Sequence, residues 1–127
     1  LEDELWLQIK VAPETLPVGE IELLPSLTYL GLNHKKIKSY KATTALVLND
    51  EIFSYSITYP ELSRKLNITF SATFPYGIQG WTETIDVNRN GTIEQYITTA
   101  KKNQTIKVAY WQKNKNSDVT LRDSLGL

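Results

Sequence analysis

The chain of 127 residues has no cysteine, no methionine and a single histidine, His34. Without cysteine there is no disulfide scaffold, no thiolate zinc site, no iron–sulfur cluster and no thiol nucleophile. One imidazole is too few for a histidine-rich metal site, and lysines follow it rather than a catalytic partner. No G-x-S-x-G elbow, S-x-x-K pair or H-E-x-x-H helix occurs. The six glycines are scattered, so there is no phosphate-cradling loop and no dinucleotide fingerprint. No 18-residue apolar run exists, and no basic segment precedes an apolar one as in a signal peptide. An excess of one charge is also missing: 14 basic and 14 acidic side chains cancel. Zero net charge counts against a nucleic-acid partner. No cofactor and no resident metal is expected.

What remains is an ordinary globular composition, 41% hydrophobic and 22% charged, of a length suited to one compact domain spanning residues 1–127. The chain opens at Leu1 without a methionine. The expectation is a piece of a longer protein whose localisation signals lie elsewhere.

Periodicity gives the fold class. Residues 2–11 (EDELWLQIKV) place acids in a first turn and Leu5, Trp6 and Ile9 along one stripe, an amphipathic helix ended by Pro13. Beyond Pro17 the period becomes two. Glu20–Leu24, Leu27–Leu32, Tyr40–Leu48, Glu51–Tyr59, Leu66–Phe74, Ile78–Val87, Thr92–Ala100 and Thr105–Trp111 all have strand character. Hairpins are expected across Asn49-Asp50 and across Asn88-Arg89-Asn90-Gly91, since Asn-Gly suits a turn with two positive φ angles. The tail from Asn116 to Gly126 reads as a capped short helix. The expected fold is mainly β: one curved antiparallel meander of six or seven strands, with short terminal helices.

Asp86-Val87-Asn88-Arg89-Asn90-Gly91-Thr92-Ile93-Glu94 matches the first half of a calcium loop. Position twelve is Ile97 instead of a bidentate glutamate, and the flanks read as strands, so a plain hairpin is expected. Glu83 and Asp86, three apart in a strand, face opposite sides and form no catalytic carboxylate pair. Two surfaces stand out as candidates. Aromatic residues including Tyr59, Trp81 and Trp111 could line a concave sheet face that takes a lipid or other hydrophobic ligand. His34, Lys35 and Lys36 open a segment with four lysines and no acid, a candidate charge facing a protein partner.

Several phrases together (LEDELW, LPVGEIELLPSLTYLGLNHKKIKSYKA, YSITYPELSRKLNITF, FPYGIQGWTETI and YWQKNKNSDVTLRDSLGL) resemble the C-terminal half of a family of uncharacterised lipoproteins of flavobacteria and other Bacteroidota. Some members carry the label "septum formation inhibitor Maf". Maf proteins proper are α/β nucleotide pyrophosphatases with a Ser-Arg-rich N-terminal loop, and nothing here corresponds to it. The resemblance implies an exported protein in the periplasm or at the cell surface, associated with the outer membrane through a lipid anchor outside this chain. It transfers no functional residue. The expected function is a non-enzymatic envelope module that docks onto another protein, with hydrophobic-ligand binding as the alternative.

Overall fold

The computed structural model describes residues 1–126. Helix α1 (Glu2–Val11) leads through a 3₁₀ turn at Pro13–Thr15 to strand β1 (Gly19–Leu23) and helix α2 (Leu27–Leu32). Strands β2 (Tyr40–Asn49), β3 (Ile52–Tyr59), β4 (Arg64–Ser71), β5 (Ile78–Arg89) and β6 (Thr92–Lys101) follow, and α3 (Thr120–Asp123) closes the chain. All six strands form one open antiparallel sheet in the order β1-β2-β3-β4-β5-β6.

The alternation read in β3 and β4 decides which face becomes core. Tyr55, Ile57 and Tyr59 share a face with Leu66, Ile68 and Phe70, and α1 and α2 lay Leu5, Ile9, Tyr29 and Leu30 upon it. Burial of each such side chain contributes about 1.5–3 kcal/mol. The opposite face carries Thr43, Ser54, Ser56, Lys65, Asn67, Thr82 and Thr99, and no helix packs its buried residues there. The molecule is therefore two layers with a one-sided core.

Two segments differ from the sequence pattern. Leu27–Leu32 is a helix, not a strand. A six-residue apolar run fits either period, and here burial of Tyr29 and Leu30 against the sheet decides. Thr105–Trp111 is not a seventh strand. The Lys102 N–H still bonds the Gln79 carbonyl, and the Asn103 side chain caps the Leu125 carbonyl. No residue from 102 to 109 has the positive φ that a tight return turn needs, so the chain leaves the sheet. Phe74, expected at the end of an apolar face, lies beyond β4 and is 82% exposed.

The Asn-Gly hairpin forms as read: Asn90 and Gly91 have φ of 54° and 85°, and Arg89 faces Thr92. A Cβ at Gly91 would meet no neighbour, so glycine serves there by taking a φ of 85° without the backbone strain of an L side chain. The Asp86 carboxylate accepts a bond from Gln95, and Asn88 holds the Gly91 N–H, so the calcium-like stretch is occupied in making a hairpin. Among the described residues no group of three carboxylate or imidazole side chains is arranged to hold a metal.

Candidate functional site

Among the described residues the sheet buries one cation. Arg64 occupies the parity of Leu66, Ile68 and Phe70 and is 4% exposed. Its Nη1 and Nη2 donate to the two Glu2 oxygens at 2.6 and 2.8 Å, and its Nε donates to Glu83 Oε1 at 2.6 Å. The Tyr59 hydroxyl donates to Glu2 Oε2 at 2.7 Å. The guanidinium also lies 4.2 Å from the centre of the Tyr29 ring, a cation–π contact. Glu2 begins α1, Tyr29 belongs to α2, Arg64 begins β4 and Glu83 lies in β5. One buried cluster thus ties both helices to the sheet.

Electrostatics follow from that geometry. Burial works against the Arg64 charge, but the Glu2 and Glu83 carboxylates more than offset it and hold its pKa above the ordinary arginine range. The Tyr59 phenol is pushed far up, first by burial and then by the adjacent Glu2 carboxylate. Burial raises Tyr29 as well, with Arg64 opposing. Neither phenol serves as a proton donor near neutral pH. With Arg64 bonded to two carboxylates and Glu2 closed by Arg64 and Tyr59, the geometry of the cluster is that of a latch.

Beside the latch lies a cleft of about 290 Å³, lined among others by Asp3, Trp6, Trp81 and Glu83. The Trp6 and Trp81 rings meet edge to face, with centroids 6.5 Å apart. Glu83 uses one oxygen on Arg64, and among the described residues its Oε2 accepts no hydrogen bond.

The residues singled out in the sequence scatter. Tyr59 is fully buried and its hydroxyl is spent on Glu2, so it presents no ligand surface. Tyr55, Ile57, Ile68 and Phe70 are equally inaccessible. These aromatic side chains are packed core rather than the lining of an open groove. Trp81 does border the cleft. Trp111 does not: it lies in a 3₁₀ turn at Tyr110–Gln112, 65% exposed, edge-on to Tyr110. His34 sits just past α2 with φ of 51°, where its N–H bonds the Gly31 carbonyl while the Lys35 N–H bonds that of Leu30. That pair is a Schellman helix stop, a structural task for both backbones. The Lys35 and Lys36 side chains are exposed on a loop entering β2, four strands from β6.

No protein-family model, no curated protein and no solved structure matches this chain. The site must be read from its own chemistry. The sequence reading does not single out Glu2, Asp3, Trp6, Tyr29 or Arg64 as site residues, and it weighs Glu83 only as half of a carboxylate pair with Asp86. The available signal was parity, since Arg64 and Glu83 are charges at positions where their strands are otherwise apolar.

A second feature is the free edge at β6. The Arg89–Thr92 closure and the Lys102-to-Gln79 bond put the even-numbered β6 residues in hydrogen bonds to β5. Ile93, Gln95, Ile97, Thr99 and Lys101 therefore direct their main-chain N–H and C=O groups away from the sheet. Ile93 and Ile97 are 70% and 60% exposed. The other edge, β1, is five residues long, carries Glu20 and Glu22, and is bracketed by Pro17 and Pro25. Short length, charge and flanking proline are the usual guards of an edge strand; β6 is ten residues long, has no flanking proline, and carries only Lys101 as a charge among its outward-bonding positions.

Proposed function

We propose that this chain is a non-enzymatic module of the cell envelope that docks onto another envelope protein, offering the edge of β6 to an extended strand of that partner. The observation that carries the reading is the asymmetry of the edges: β1 is guarded, whereas β6 is long, rich in β-formers and exposes two isoleucines. An added strand would satisfy the outward N–H and C=O groups and cover Ile93 and Ile97, which is strand-addition recognition. Export, and association with the outer membrane through an anchor outside this chain, rest on the lipoprotein resemblance of the sequence. The absence of any recognisable catalytic motif favours binding over chemistry.

Proline separates this reading from a general loss of fold. At Thr99 it removes an outward N–H and leaves the bonds to β5 in place. A photo-crosslinker at Ile97 in the host's envelope should give one adduct mapping to an extended segment of the partner, and Thr99→Pro should abolish it while the isolated domain keeps its melting temperature. In the complex, the Ile97 and Thr99 amides should become protected from hydrogen exchange. An adduct of equal yield in Thr99→Pro, or unchanged exchange at those amides, overturns the proposal.

A further inference from the structure

We infer that the cleft bordered by Trp6 and Trp81, beside the Arg64 latch, is a binding site for a protonated primary amine, either a free alkylamine or the side chain of a lysine. This inference concerns a different surface from β6 and does not depend on it. Charge is the first argument. Glu2, Asp3 and Glu83 line the cleft together with a single cation, Arg64. Arg64 is bonded to both Glu2 oxygens and one Glu83 oxygen, and it is pinned over the Tyr29 ring. Three carboxylates against one guanidinium leave two negative charges uncompensated.

Geometry is the second. Glu2 is filled by Arg64 and Tyr59, whereas Glu83 keeps Oε2 free and its side chain is 21% exposed. The open acceptors are Glu83 Oε2 and Asp3, whose Oδ2 takes only a long bond of 3.4 Å from the Leu27 N–H, on a cleft that Trp6, Trp81, Tyr29 and Leu32 also line. A carboxylate acceptor beside aromatic side chains suits an alkylammonium group, through charge-assisted hydrogen bonding and contact of its apolar stem with the rings. Size is the third argument. About 290 Å³ is at the small end of ligand sites, matched to an ammonium on a short alkyl stem. An anion is excluded by the same carboxylates.

The test uses the intact chain titrated with n-butylammonium chloride, with the indole N–H signals of Trp6 and Trp81 followed by NMR. Sodium chloride at equal ionic strength is the reference, and acetyl-Gly-Lys-Gly-amide the second probe. Both indoles should shift saturably with butylammonium and stay still with sodium chloride. Glu83→Gln should weaken binding by about tenfold, the loss of one charge-assisted contact. Because Glu83 also touches Arg64, Asp3→Asn is the second variant; Asp3 is exposed and makes no bond to the latch. It should weaken binding several-fold with an unchanged fold. Tighter binding of the peptide than of butylammonium points to a protein lysine, and the reverse to a free amine, and either result supports the site. A non-saturable shift, an equal response to sodium chloride, or wild-type affinity in both variants overturns it.

Discussion

Arg64 begins a strand in which every second residue is apolar, and this placement makes the latch consequential. Its partner Glu2 is 1% exposed, so the carboxylate depends on Arg64 and Tyr59 for all its hydrogen bonds. Arg64→Ala strands that charge, and breaking a buried pair from one side costs about 3–5 kcal/mol. Removing both charges together is different, because a well-packed apolar replacement of a buried pair is often neutral. The triple variant Glu2→Leu, Tyr59→Phe and Arg64→Met, which leaves no fully buried polar group of the cluster without a partner, should therefore unfold within about 1 kcal/mol of the wild type, where Arg64→Ala does not. Urea denaturation of the three proteins measures this, and an Arg64→Ala loss below about 1 kcal/mol, as for a surface pair, refutes the latch. At this scale the sequence was half legible. Arg64 and Glu83 betray themselves by parity. Glu2 does not, because an acid in a first helical turn is ordinarily solvated and only the tertiary fold buries it.

At the scale of elements, what was readable was whatever local chemistry determines. The α1 stripe of Leu5 and Ile9 is buried as its spacing requires, and both hairpins close where positive-φ residues fall, at Asp50 and at Asn90-Gly91. The failures were elements determined by neighbours. LTYLGL has the length of a strand but lies across the sheet as α2, with Tyr29 over Arg64. TIKVAYW has strand composition but lacks a turn that would return it to β6. His34, noticed for its imidazole, turns out to matter through its backbone. A non-glycine residue in the left-handed region costs about 1–2 kcal/mol, and glycine has no such penalty but more unfolded-state freedom to lose. His34→Gly should thus stabilise the protein by about 0.5–1 kcal/mol, seen as a rise in melting temperature. A fall would mean that the side chain makes a contribution beyond ending the helix.

For the whole molecule, a core on only one face of the sheet concentrates its polar aromatic groups in one place. Tyr29, Tyr55 and Tyr59 come from α2 and β3, are at most 6% exposed, and all have phenol pKa values raised chiefly by burial. Their hydroxyls stay protonated in the fold at pH values where the unfolded chain, with ordinary tyrosines near pH 10, has begun to release its protons. The native state then binds more protons than the unfolded one, so stability falls as pH rises. The stabilisation is complete below about pH 10 and declines above it, by up to about 1.4 kcal/mol per pH unit for each tyrosine. Tyr59 has the largest shift, because the Glu2 carboxylate adds to burial. Tyr59→Phe therefore separates two effects. It lowers stability at pH 8 by removing the bond to Glu2, and it also flattens the decline between pH 10 and 11, since one withheld proton is gone. Urea midpoints measured at pH 8, 10 and 11 read both. An unchanged slope in Tyr59→Phe would mean that this phenol ionises freely in the native state, which the closed packing around Glu2 and Arg64 forbids.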